Sequence, residues 1–251
     1  MSLPPKQPTP RFLLAGDRAL TVEFGQTIDA LTNRRVQQLA ARLNAQRGDA
    51  IVGVVPTYRS LTVSYEPLRI SLDALRAKIV ACLAGEQLGS VPSRRWLVPV
   101  CYGGECGEDL ETLAATHDMT PGEVIALHSA PVYRVYMVGF LPGFAYLGDL
   151  DQRLHTPRRA VPRPLTPAGS INVGGQQTAI ASVAGPSGWH LLGRTPWRSF
   201  DPQRVNPFLF AAGDEVVFTP IGEKDYAQMA AAIDRGDDLP RPVSREPEDE
   251  R

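Results

Sequence analysis

Phe140, Phe144 and Tyr146 crowd a turn punctuated by Gly139, Pro142 and Gly143. A strand that needed only burial would not require that punctuation. Glycine admits positive φ or close backbone approach, and proline fixes its own φ. The stretch from Val135 to Leu147 therefore predicts a buried strand running into a rigid loop with an aromatic wall, suited to gripping a small molecule or a partner chain. Close by in sequence, Arg153, Arg158, Arg159 and Arg163 are interleaved with Pro157, Pro162 and Pro164. Proline stiffens such a loop and lowers the entropy lost on binding, and guanidinium forks suit carboxylate or phosphate. A solvated loop with arginine stems packed along it would use the same residues.

Two later segments carry related chemistry. Pro167 to Thr178 contains Gly174-Gly175, which permits a tight hairpin or close ligand approach, followed by Gln176 and Gln177, whose amides can hydrogen-bond another amide. A plain hairpin would account for it equally. Gly185 to Pro196 contains Trp189 and His190, which alternate across a strand and so face opposite sides, and Arg194, which could pair with a carboxylate of the fold or hold a ligand. The convergence of these segments predicts a ligand or partner surface of Phe140, Pro142, Phe144 and Tyr146 with Arg158, Arg159, Gln177, His190 and Arg194. The competing reading makes the aromatics core and pairs the arginines with acids such as Asp149, Asp151 and Asp201. No catalytic dyad is visible, GxSxG is absent, and no biotin-type lysine motif occurs. Gly103-Gly104-Glu105-Cys106-Gly107 is glycine-rich but lacks the Lys-Ser/Thr ending that would hold nucleotide phosphates. A complete hydrolase site within this chain is not supported.

The elements that must position these residues fall into two groups. Residues 1–10 read as a disordered leader, 11–88 as a small α/β domain, 89–236 as a β-dominated domain closing into a barrel, and 237–251 as a disordered tail. In the first domain, strands at Arg11–Leu14 and Ala19–Phe24 flank the turn pair Gly16-Asp17. A helix capped by Thr27 runs to about Asn44 with Ile28, Leu31, Leu39 and Leu43 at helical spacing. Strands at Ile51–Val55 and Leu61–Tyr65 follow, then a helix capped by Ser71, carrying Leu72, Leu75, Ile79 and Cys82 and ended by Gly85. This ββαββα order implies a small sheet with helices on one face. Residues 85–92 look like a linker. A strand at Trp96–Tyr102 opens the second domain, followed by a short helical segment at Gly107–Met119. Thr120-Pro-Gly-Glu123 is a capping-box signature opening a helix that ends near His128. Short strands and many prolines follow, then a last strand at Glu215–Thr219 and a helix at Lys224–Arg235.

Composition sets the outer bounds. With 251 residues, 43% hydrophobic and 21% charged, the chain has a globular composition. A formal net charge of −1 provides no global field toward nucleic acid or anionic lipid. No apolar run approaches the roughly 20 residues a membrane span needs. The start lacks the apolar core of a signal peptide, and three cysteines, an odd number, point to a reducing, cytoplasmic setting. Cys101 and Cys106 have no zinc-like spacing, so no metal site is expected.

Gly16-Asp-Arg-Ala-Leu, His128-Ser-Ala-Pro-Val-Tyr-Arg-Val-Tyr, Gly139-Phe-Leu-Pro-Gly-Phe-Ala-Tyr-Leu147, Pro157-Arg-Arg, Pro167-Ala-Gly-Ser170, Gly188-Trp-His-Leu-Leu-Gly-Arg-Thr195 and Gly213-Asp-Glu-Val resemble, in order, motifs of the 5-oxoprolinase B-subunit family. That family is also called KipI, carboxyltransferase subdomain C/D, or allophanate hydrolase subunit 1. The resemblance implies an α+β fold, a small α/β domain followed by a cyclophilin-like β-barrel. It implies an enzyme component that, with 5-oxoprolinase subunits A and C, cleaves 5-oxo-L-proline to L-glutamate using ATP bound by a partner, with no metal or biotin site here. Subunits B and C also resemble the two halves of the carboxyltransferase part of urea carboxylase, and a relative with the same fold inhibits a histidine kinase, so a kinase-binding role is the alternative. Proline isomerase activity would rest on fold analogy alone. The chain departs from the common family pattern after the strand Thr178–Ser182, where relatives have tyrosine-proline. It departs again at Pro186-Ser-Gly-Trp-His190, where they have Pro-Gly-Gly-Trp-Gln.

Overall fold

Alternating burial along Ala19–Glu23 (β2) and Ser60–Tyr65 (β4) leaves Leu20, Val22, Leu61, Val63 and Tyr65 on one apolar face. The computed structural model describes residues 9–84, 94–237 and 240–243. Its backbone divides into two compact units, residues 1–91 and 92–251. The leader through residue 8, the linker at 85–93 and most of the tail lie outside the described residues, as does the helix stop at Gly85.

The first unit pairs Arg11–Leu14 (β1), β2, β4 and Ile51–Pro56 (β3) in the antiparallel order β1-β2-β4-β3. Helices Ala30–Ala45 (α1) and Leu72–Ala84 (α2) cover the apolar face, and their buried side chains join the strand residues in one core. The α1 start differs from expectation. Asp29, not Thr27, is the N-cap, accepting from the Thr32 N–H at 2.8 Å, while the Thr27 hydroxyl donates to Asp29. Starting at Ala30 puts Val36, Leu39, Ala40 and Leu43 inward and leaves Ile28 and Leu31 exposed. Asn33 takes the inner position of the first turns, its amide donating to the Thr57 and Tyr58 carbonyls.

The second unit is a closed seven-stranded barrel joined to three helices, which gives the chain the expected α+β fold. Its strands are Arg95–Tyr102 (β5), Tyr133–Val138 (β6), Ala145–Leu147 (β7), Ser170–Gly174 (β9), Gln177–Ile180 (β10), His190–Arg194 (β12) and Glu215–Ile221 (β13). The circular order is β10-β7-β6-β13-β5-β12-β9. Only β13 and β5 run parallel, in register from Glu215↔Arg95 to Ile221↔Cys101. Outside the barrel, Arg163–Thr166 (β8) and Gly185–Ser187 (β11) form a two-stranded ribbon. The first helical segment is shorter than expected: a 3-10 turn at Gly104–Cys106 precedes Leu110–Thr116 (α3). Pro121–Ser129 (α4) opens on the full capping box, Thr120 and Glu123 satisfying each other's backbone N–H. Glu223–Arg235 (α5) closes the unit and ends at Gly236 in the left-handed region.

Among the buried polar residues of this unit, His128 and Asp214 link separate elements. His128, fully buried, bridges the Tyr102 hydroxyl at 2.8 Å and the Thr178 hydroxyl at 2.9 Å and stacks on Phe218 at 4.8 Å. Asp214 accepts from the Trp96 indole and from Arg94, tying β13 to β5.

Candidate functional site

The aromatic turn is made by the chain leaving β6 and returning in β7. Gly139 N–H donates to the Phe144 carbonyl and Phe144 N–H to the Leu141 carbonyl, closing the loop on itself. Gly143 sits at φ +76°, where a Cβ would lie 2.7 Å from the Phe200 Cβ and 3.0 Å from the Ser199 carbonyl, so only glycine fits. Phe140 adopts φ +70° without being glycine and is 63% exposed. A bulky residue in that region is a backbone outlier that the surrounding structure must hold in place.

From Phe140 the rings run as a continuous row. Phe140 meets Phe144 edge-on at 5.7 Å, Phe144 meets Tyr146 at 4.7 Å, and Tyr146 meets Trp189 edge-on at 5.9 Å. Antiparallel pairing of β7 with β10 sets Tyr146 opposite Ala179, one of the small buried residues beneath the rings. Gly174 lets Trp189 lie flat, since a Cβ there would be 2.6 Å from its ring. Burial raises the Tyr146 phenol above its ordinary pKa, against the opposing pull of Arg158, so it stays protonated at neutral pH. The Arg158 guanidinium lies over the Trp189 ring, 5.8 Å from its centroid. These residues, with Arg159 and the ribbon segment Pro186–Gly188, enclose a cavity of about 270 Å³.

The arginines are not equivalent. Arg158 is exposed, and among the described residues no carboxylate lies within ion-pair reach of it. Arg159 and Arg163 converge on Asp109. Arg159 Nη1 donates to Asp109 Oδ1 at 2.8 Å, and Arg163 donates to both carboxylate oxygens at 2.7 and 2.8 Å. The Leu191 N–H adds a fourth donor at 2.8 Å. Burial pushes the Asp109 carboxyl up, but the Arg163 and Leu191 hydrogen bonds and the two positive charges outweigh it and leave the pKa below the usual value. Asp109 thus fastens the arginine loop to β12, and the Arg159 N–H completes the attachment at the Gly188 carbonyl, 2.7 Å away.

Of the predicted surface, one cavity collects Phe140, Phe144, Tyr146, Arg158 and Arg159. Pro142 lines a separate apolar hollow of about 580 Å³ with Leu141, Phe208 and Phe210, and Phe140 borders both. His190 stands behind the wall: its Nε2–H donates to the Pro157 carbonyl at 2.9 Å, which holds the residue before Arg158. Gln177 pairs with Gly174 in the β9–β10 hairpin and does not line the cavity. Arg194 lies elsewhere on the barrel, against Tyr226 and close enough to Cys101 to lower its pKa, although burial and the neighbouring Cys106 thiol raise Cys101 to about 12. The acids named as alternative arginine partners divide: Asp151 pairs with Arg153 and Asp201 with Arg204, while Asp149 accepts from the Tyr136 hydroxyl. Asp109 is invisible to sequence reasoning because its partners are fifty and more residues away, and no local pattern marks it. Trp189 does carry a signal, since its alternation with His190 requires one of the two to face inward.

Among the described residues no group of three or more His, Cys, Asp or Glu could hold a metal ion, and no helix is long and apolar enough to cross a membrane.

A model of the family described as carboxyltransferase domain, subdomain C and D, matches residues 10–210. The 5-oxoprolinase B-subunit of Bacillus subtilis (strain 168) is 39% identical over 222 residues, covering 84% of this chain and 92% of that protein. The crystal structure of TTHA0988 superposes with a TM-score of 0.73 at 35% identity over 81% of this chain. The match spans 40% of the TTHA0988 chain. The K. lactis urea amidolyase superposes with a TM-score of 0.80 over 96% of this chain and 17% of that one, at 21% identity, a likeness of fold.

Proposed function

The chain belongs to the carboxyltransferase domain, subdomain C and D, family, and we propose that it is the B-subunit of an ATP-dependent 5-oxoprolinase that cleaves 5-oxo-L-proline to L-glutamate together with subunits A and C. The observation that carries the proposal is the 39% identity, over 84% of this chain and 92% of the relative, to a protein named as the 5-oxoprolinase B-subunit. The cavity supports it physically. A small lactam carries one flat amide and one carboxylate. The row Phe144, Tyr146 and Trp189 offers faces for the ring, and the Arg158 fork offers a bidentate seat for the carboxylate.

Ring opening requires an activated amide carbonyl, and ATP supplies that activation by phosphorylation. The sequence has no phosphate loop, so the nucleotide belongs to a partner in the complex, and this chain binds and orients. Phe140, Pro142, Phe144, Tyr146 and Arg158 form the surface presented to substrate or to the partner that completes the site. Arg159 and His190 hold the arginine loop. The protein works in the cytoplasm as part of a hetero-oligomer.

The test is reconstitution. The chain alone should hydrolyse no ATP in response to 5-oxoproline, and adding both partners should produce that hydrolysis. Capture of a histidine kinase with neither 5-oxoprolinase partner recovered would favour the inhibitor reading instead.

A further inference from the structure

Three guanidinium groups reach the loop beside the aromatic cavity, yet they do not act as three charges. Asp109 is 5% exposed and accepts four hydrogen bonds, two on each oxygen, which fills the capacity of a carboxylate. Arg163 spends its fork bidentately on Asp109 and reaches Glu108 at 3.2 Å. Arg159 spends Nη1 on the same carboxylate. Arg158, Arg159 and Arg163 against Asp109 and Glu108 leave one net positive charge, and Arg158 is the exposed member of the set. Its guanidinium face is already occupied by Trp189, which leaves the N–H edge to receive a planar acceptor.

We propose that this cavity selects a ligand bearing a single negative charge, a monocarboxylate with a flat body, and that Asp109 sets the selectivity by neutralising the two arginines beside Arg158. The inference rests on the functional reading in taking this cavity as the ligand site. It goes beyond that reading in the residue that fixes the charge class, Asp109. A dianion such as phosphate would bring two charges to one cation against an aromatic wall and would lose hydration without a second partner. A ligand with one carboxylate and a planar amide loses little. Hydrolysis of such a lactam creates a second carboxylate and an ammonium, and neither has a partner in the row of rings. The net charge stays at −1, so it is the cost of desolvating these two unpartnered groups that favours release of the product.

Calorimetric titration of the full chain with 5-oxoproline, benzoate and inorganic phosphate, in mildly alkaline buffer where phosphate is the dianion, tests this. The wild type should bind a monocarboxylate at least tenfold tighter than phosphate. Arg158→Gln should lose at least tenfold in carboxylate affinity with an unchanged melting temperature. Asp109→Asn, by freeing two guanidinium groups, should narrow or reverse the preference. If that variant does not fold, Glu108→Gln, on an exposed side chain, should shift the ratio several-fold in the same direction. Phosphate binding as tightly as carboxylate in the wild type, carboxylate binding that survives Arg158→Gln, or no carboxylate binding to the chain at all would each overturn the proposal. Benzoate bound through Arg158 with 5-oxoproline unbound would keep the charge selection and remove the substrate assigned above.

Discussion

Replacing Phe140 by glycine should leave the protein folded and nearly as stable, although it deletes an aromatic side chain. Three contributions oppose one another. Relief of the φ +70° backbone is worth about 1–3 kcal/mol. Glycine's extra freedom in the unfolded chain costs about 0.5–1 kcal/mol. The side chain is 63% exposed, so roughly a third of the 1.5–3 kcal/mol for burying a phenylalanine is lost, about 0.5–1 kcal/mol. The net change lies between a loss of about 1 kcal/mol and a gain of about 2 kcal/mol. Phe144, four residues on in the same row, is 7% exposed, and Phe144→Ala should cost about 3–5 kcal/mol. Urea unfolding of both variants beside the wild type reads the contrast directly. In the reconstituted complex, Phe140→Gly should reduce 5-oxoproline turnover or assembly, because the ring it removes borders both the aromatic cavity and the apolar hollow. A loss above about 2 kcal/mol for Phe140→Gly would instead make Phe140 a structural residue whose ring outweighs the strain.

Two other perturbations have definite signs. Burial holds the His128 imidazole at about 3 instead of 6.5, so its stabilisation is complete above pH 6.5 and is lost as pH falls toward 3. The stability of the wild type should therefore drop between pH 6.5 and 4 by on the order of 1.4 kcal/mol per pH unit from this group alone, and a flat profile from pH 7 to 5 would contradict it. Gly174→Ala places a Cβ 2.6 Å from the Trp189 ring, so it should cost about 1–3 kcal/mol and alter tryptophan fluorescence, whereas an unchanged emission spectrum and melting temperature would show that the ring has room.

Much of the fold is legible in the sequence because its signals are local. The capping box at Thr120–Glu123, the strand alternation of Ala19–Glu23 and Ser60–Tyr65, and the glycine-punctuated turn at 139–143 each depend on residues within one turn or strand. The site is legible in part for the same reason: Phe140, Phe144 and Tyr146 are neighbours in sequence, and so are Arg158 and Arg159. The expected surface residues that stand apart from the cavity are placed by registry across the barrel. His190 and Arg194 share a strand face by simple alternation, but a register shift between Leu191 and Gly193 and the pairing of Arg194 with Cys101 carry Arg194 away from the cavity. Gln177 is spent in hairpin pairing, a fate a glycine pair predicts as readily as ligand approach. Asp109 becomes visible only once the fold has closed a gap of fifty residues and more to Arg159 and Arg163.

Whether this chain supplies the substrate-binding surface of a multi-component lactam hydrolase and not its nucleotide chemistry is decided by 5-oxoproline-dependent ATP hydrolysis measured three ways: the chain alone, the chain with subunits A and C, and Arg158→Gln with the same partners. The expected results are, in that order, no activity, full activity and at least a tenfold loss in kcat/KM with assembly intact. ATP hydrolysis by the chain alone, or full activity with Arg158→Gln, would contradict that assignment.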